Sequence, residues 1–304
     1  MQSTAPSPVV MIPPHVLREL RYLEIATSKK IQTPRLGPYT SPARGAGFDF
    51  DQHRPYQPGD DVRRIDWNVT ARLNAPFLRQ THAERELNVV IAVDLSRSME
   101  VGSALHSKRE TLTFITASLL FSAAADQINT GFLAFSDIVH LWSPPRRGPG
   151  RAWRILEGVW ELEPAGAGTA LMPALRHLSA NLKTMSVVFL ISDFITDEAR
   201  LFDSPEMRLL ASRHDLIAVV LEDPTEVALP PGGGYIRVRE PETGAYRTVG
   251  LNDTTRAAYA ESVARRRDAM VRACYRLPAE CVFIRSDKSA SEPLLELLAR
   301  RKQK

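Results

Sequence analysis

The run Val89-Val90-Ile91-Ala92-Val93, followed at once by Asp94-Leu95-Ser96-Arg97-Ser98-Met99, constrains this chain more than any other stretch. Five consecutive apolar residues, four of them β-branched, read as a strand buried on both faces, as in the middle of a parallel sheet. That strand ends in a carboxylate and two hydroxyls. Ligand crevices of open α/β sheets lie just beyond the carboxyl ends of the strands, so Asp94, Ser96 and Ser98 belong at such a crevice. Ser186 to Ile191 repeats the pattern, a second buried strand running into Ser192-Asp193. Between them, the small residues of Glu163-Pro164-Ala165-Gly166-Ala167-Gly168-Thr169 allow backbone to pass close to a ligand. Thr169 is the only hydroxyl of that loop.

The remaining elements alternate around these strands. Helices are predicted over His15 to Ile31, after Ser107, over Ala152 to Leu162, Met172 to Leu182, Leu201 to Ser212, Thr254 to Tyr275 and Glu292 to Arg301. Ser107 and Glu110 have the spacing of a capping box. Further strands are predicted over Asn129 to Phe135, Leu216 to Leu221 and Cys281 to Ile284. Ser136-Asp137 is too short to cross over, so Ile138 to Ser143 must return antiparallel at one sheet edge. Tyr235 to Arg239 and Tyr246 to Val249 read as a hairpin around Glu242-Thr243-Gly244. The expected fold is α/β: a doubly wound, mostly parallel sheet with one antiparallel edge strand, preceded by an N-terminal helical and extended segment. Its parts are expected at 1–84, comprising tail, helix and extended segment, and at 85–304, the main domain with a hairpin insertion at 230–250.

Composition excludes several classes. Two cysteines, Cys274 and Cys281, lie in no C-x-x-C and near no histidine, so neither a disulfide framework nor zinc is signalled. No run approaches the ~20 apolar residues of a membrane span, and no signal peptide is visible, so a cytoplasmic location is expected. A formal charge of +4 over 304 residues does not call for nucleic acid. The runs Arg146-Arg147, Arg265-Arg266-Arg267 and Arg300-Arg301-Lys302 lack the interleaved aromatics of a strand-binding groove. The sequence has no G-x-x-x-x-G-K-[ST] and no G-x-S-x-G, and its histidines are scattered.

Asp94, Ser96, Ser98, Thr169 and Asp193 all offer oxygen donors at the carboxyl edge of one sheet. Mg²⁺ prefers such a near-octahedral oxygen shell and commonly keeps a position for water or an outside ligand. D-x-S-x-S, a loop Thr and a post-strand Asp resemble the metal-ion-dependent adhesion site of von Willebrand factor A domains. The resemblance implies a von Willebrand factor A-like domain over about Glu84 to Arg301 and a Mg²⁺ site, open also to Mn²⁺ or Ca²⁺. Ser96, Ser98 and Thr169 would be direct ligands, with Asp94 and Asp193 acting through water or hydrogen bonds. A partner's Asp or Glu would complete the shell.

Just upstream, Arg54-Pro55-Tyr56-Gln57-Pro58-Gly59-Asp60-Asp61-Val62-Arg63-Arg64-Ile65-Asp66-Trp67 resembles the signature of bacterial proteins called domain of unknown function 58, associated with MoxR-type AAA+ ATPases. The function this implies is a non-enzymatic protein-binding module. Its partners would be a MoxR-type ATPase, a client supplying a carboxylate, or both. The alternative from the residues is a metal-dependent hydrolase or phosphatase with Asp94 as nucleophile, which would be expected to carry a second acid or a Lys close by. Gly232-Gly233-Gly234 and the following hairpin match no feature of either family pattern.

Overall fold

The computed structural model describes residues 12–29, 44–45, 49–58, 60–73, 75–82, 87–103, 106–162, 168–196, 198, 201–289, 293 and 296. The expected tail, the connection over 33–43, most of the loop before Thr169 and nearly all of the expected closing helix lie outside them. Backbone contacts divide the chain into two compact units, Leu36–Glu86 and the remainder.

In the larger unit, α1 (Pro14–Lys29) packs on a helix far along the chain, and its Val16 and Leu20 are fully buried. The smaller unit holds β1 (Arg44–Gly45), β2 (Asp49–Pro55), α2 (Trp67–Leu73) and β3 (Phe77–His82), with both outer strands antiparallel to central β3. The sequence reading has an extended segment here, because polar and charged residues fill both longer strands and mask the period-2 signal. Several of its charged residues are bonded within the unit. Arg54 grips Asp60 with two bonds of 2.7 Å, His53 meets Asp66 at 2.9 Å, and Asp61 accepts from the Arg63 amide.

The larger unit continues as β4 (Asn88–Asp94), α3 (Lys108–Ala125), β5 (Asn129–Phe135), β6 (Val139–Arg146), α4 (Arg151–Glu161), α5 (Met172–Asn181), β7 (Ser186–Ser192), α6 (Pro205–Arg213), β8 (Asp215–Glu222), α7 (Pro224–Val227), β9 (Gly234–Arg239), β10 (Tyr246–Leu251), α8 (Asp253–Arg276) and β11 (Ala279–Arg285). Six strands form one sheet in the order β11-β8-β7-β4-β5-β6. All neighbours are parallel except β5 and β6. Every residue of β4, β5 and β7 is buried, as near-continuous apolar runs require when helices cover both faces. The sheet is thus mixed α/β, mostly parallel, with an antiparallel edge. Among the described residues, β9 and β10 pair only with each other, outside that sheet.

The start of α3 ties several elements together. The Ser107 hydroxyl accepts from the Glu110 amide at 3.1 Å, and the Glu110 carboxylate accepts from the Ser107 amide at 3.0 Å. Its other oxygen meets His15 of α1 at 3.0 Å. Ser107→Ala should therefore cost about 1 kcal/mol, seen as a fall of roughly 2 to 4 °C in melting temperature. At the other edge, Arg267 of α8 donates to Glu222 at the end of β8. Cys274 and Cys281 are free thiols. Among the described residues, no helix is long and apolar enough to cross a membrane.

Candidate metal centre

β4 and β7 are adjacent and parallel, so their carboxyl ends deliver Asp94, Ser192 and Asp193 to one place. Asp94 is fully buried. Its Oδ1 accepts from the Ser96 amide at 2.9 Å and its Oδ2 from the Ser192 hydroxyl at 2.6 Å. The first of these bonds folds the chain back after the strand, and the Ser96 and Ser98 hydroxyls come to 3.1 Å of each other. Both serines are buried.

Thr169 arrives from the loop before α5. The Thr196 hydroxyl donates to the Thr169 carbonyl at 3.0 Å, and the Ala170 amide donates to the Ser136 carbonyl at 3.1 Å. Glu198 accepts from the Leu171 and Met172 amides at 2.8 and 3.1 Å, satisfying donors left open at the start of α5. Thr169 and Ser98 then meet a common acceptor. Glu242 Oε1, at the turn between β9 and β10, accepts from the Ser98 amide at 2.9 Å and from the Thr169 hydroxyl at 3.4 Å.

Asp193 faces the same region with both oxygens engaged. Oδ1 accepts from the Ile195 amide at 3.0 Å, and Oδ2 accepts from Lys108 Nζ at 2.8 Å. The next residue, Phe194, has φ of 54°, a left-handed conformation uncommon for an aromatic residue. It marks the sharp turn that leaves Asp193 at the strand end. Lys108 is wholly buried and also donates to Glu226 at 2.6 Å. Burial pulls its pKa down, but the Asp193 and Glu226 charges outweigh that and hold it above the ordinary lysine value. Lys108 is a charged structural counter-ion.

The structure thus gathers Asp94, Ser96, Ser98, Thr169 and Asp193 at one sheet edge. Sequence reasoning missed Lys108 and Glu242. Lys108 was legible only as the first residue after a cap, and Glu242 only as a turn residue, because neither spacing nor composition says what a side chain meets 85 or 144 positions away.

The donor set suits a hard divalent cation. Among the described residues, no group of three or more His, Cys, Asp and Glu side chains is arranged as a metal cluster; the candidate centre depends on hydroxyls. Lys108 offsets the charges of Asp193 and Glu226, while Asp94 lies against Asp193 and Glu242 against Ser98 and Thr169. Glu242 Oε2 is buried and meets no hydrogen-bond donor among the described residues. Burial, followed by repulsion from Asp193, pushes the Asp94 carboxyl up to about 7. A cation held by Ser96, Ser98 and Thr169 would relieve both strains, since opposite charge favours the ionised form.

Relatives share this chain over nearly its whole length. The uncharacterized protein Rv1480 of Mycobacterium tuberculosis and the uncharacterized protein Mb1516 of Mycobacterium bovis are each 28% identical to it, over 98% of this chain and 96% of theirs. Among solved structures, the conserved hypothetical protein BatB from Bacteroides thetaiotaomicron aligns with 72% of this chain and 100% of its own, at 16% identity and a TM-score of 0.44. An aerotolerance-related membrane protein from Bacteroides fragilis aligns with 71% and 98%, at the same identity and score. Residues 52–269 match the family described as protein of unknown function DUF58, and the chain belongs to that family.

Proposed function

We propose that this protein is a non-enzymatic interaction module with a von Willebrand factor A-like domain, whose metal-ion-dependent adhesion site presents Mg²⁺ or a similar cation to a partner's carboxylate. The partner system in this reading is a MoxR-type AAA+ ATPase, with the carboxylate supplied by the ATPase or by a client. One observation carries the proposal: the Thr169 hydroxyl and the Ser98 amide converge on one carboxylate oxygen at the sheet's carboxyl edge. The chain already uses this place to receive a carboxylate.

Asp94 and Asp193 support the same division of roles. Each has both oxygens engaged by protein donors, so they suit holding the hydroxyls and supplying charge more than binding a ligand directly. The hydrolase reading gains a nearby lysine and a second acid. However, Lys108 is committed to two carboxylates, and Asp94 is buried with both oxygens bonded, which leaves neither free to attack or to protonate a leaving group.

Thermal melting across a wide range of Mg²⁺ or Mn²⁺ concentration tests the metal. At a hundred times the dissociation constant, binding to the folded state adds about 2.7 kcal/mol, a rise of roughly 5 to 10 °C for a chain of this size. Ser96→Ala combined with Ser98→Ala should abolish the rise. A flat wild-type curve would sink the metal reading. Capture of an AAA+ ATPase from lysate with metal, lost with chelator and in the double variant, tests the partner.

A further inference from the structure

The β9–β10 hairpin pairs with no strand of the main sheet and is largely exposed. Its turn nevertheless reaches the site. Glu242 Oε1 lies 2.9 Å from the Ser98 amide nitrogen and 3.4 Å from the Thr169 hydroxyl, and its buried Oε2 meets no donor among the described residues. A buried carboxylate oxygen favours a donor or a positive partner, and this one shares its carboxylate with the oxygen that meets Ser98 and Thr169.

The turn holds its shape through its own bonds. The Glu240 amide donates to the Ala245 carbonyl at 2.7 Å and the Gly244 amide to the Glu240 carbonyl at 2.9 Å, while the Thr243 hydroxyl donates to the Glu240 carboxylate at 2.6 Å. Gly244 has φ of 72°, which glycine adopts without steric cost. An internally bonded turn on an exposed two-stranded arm therefore ends in one carboxylate that meets the Ser98 amide and the Thr169 hydroxyl.

We propose that Glu242 is an internal ligand: it takes the place that a partner's carboxylate would occupy, and the hairpin is a self-capping arm displaced when an acidic segment of another protein binds. The inference rests on the adhesion-site reading and adds its regulation. A tethered carboxylate acts at an effective concentration of the order of millimolar. A lone, weakly bound acid in trans therefore loses to Glu242, and a partner must add contacts beyond its carboxylate to open the cap.

The test uses the full chain and two readouts. Mn²⁺ binding is followed by electron paramagnetic resonance for wild type and Glu242→Gln, with Glu242→Asp as a second, shorter carboxylate. Binding of a fluorescent peptide with the sequence of residues 238–247 is then measured in saturating Mn²⁺ and in chelator. The expected result is Mn²⁺ binding by all three proteins, with the peptide at least tenfold tighter on Glu242→Gln than on wild type. Peptide binding should need metal and vanish when the peptide's Glu242 equivalent is Gln. Equal peptide affinities, or no peptide binding to a Mn²⁺-loaded Glu242→Gln protein, overturn the internal ligand and leave the adhesion site standing. Loss of Mn²⁺ binding in Glu242→Gln alone also overturns it, making Glu242 a permanent ligand. Absence of Mn²⁺ binding by wild type overturns both.

Discussion

Lys108→Met is expected to lower the melting temperature in chelator by roughly 10 °C, the fall that follows from losing about 3 to 5 kcal/mol when one member of a buried ion pair is removed. The Lys108 ammonium is fully buried, 2.8 Å from Asp193 Oδ2 and 2.6 Å from Glu226 Oε1. Methionine fills much of the same volume but leaves both carboxylates without their cation. The packing loss is small, so the electrostatic term dominates. A second outcome separates this role from a catalytic one. With the ammonium gone, the site carries more uncompensated negative charge, and the variant's melting temperature should rise more steeply with Mn²⁺ than that of wild type. An unchanged melting temperature in chelator would show that Lys108 is not the counter-ion the geometry makes it.

The same residue shows where sequence is informative and where it stops. The buried strands β4 and β7 are legible because covered parallel strands need unbroken apolar runs, and Val89–Val93 and Val187–Ile191 supply them. The antiparallel edge was legible because Ser136-Asp137 cannot span a crossover. The Ser107 capping box was legible because its chemistry is local. Lys108 belongs to the same four-residue motif, yet its partners come from the end of β7 and from α7, and nothing local encodes a contact across the sheet edge. Glu242 is the sharper case. Its turn reads as part of an insertion, and only the placement of the hairpin brings its carboxylate to Ser98 and Thr169. In the smaller unit the loss is different in kind: β2 and β3 are dominated by charged and polar residues, so the period-2 pattern that identifies a half-buried strand is faint.

Asp94 yields the second large expectation, a stability that declines with rising pH when metal is absent. The folded protein holds the Asp94 proton up to about pH 7 because burial, then repulsion from Asp193, disfavours the charge. The unfolded chain releases it near the ordinary aspartate value of about 4. Between these values the folded state binds the extra proton, so stability is full below about pH 4 and falls as pH rises to about 7. The bound on that loss is roughly 4 kcal/mol, from about 1.4 kcal/mol for each pH unit. A divalent cation favours the ionised carboxylate, so excess Mg²⁺ should flatten the decline and bind more tightly at pH 8 than at pH 5. Asp94→Asn removes the titration while keeping the acceptor for the Ser96 amide, at the expense of the bond from Ser192, worth about 1 kcal/mol. In chelator at pH 8 the Asp94→Asn protein should therefore resist urea better than wild type by about 1 to 3 kcal/mol. It should also gain little from Mg²⁺. A wild-type protein equally stable at pH 5 and pH 8 in chelator, or an Asp94→Asn protein weaker than wild type at pH 8, would mean that Asp94 is ionised without metal and that some other group already compensates its charge.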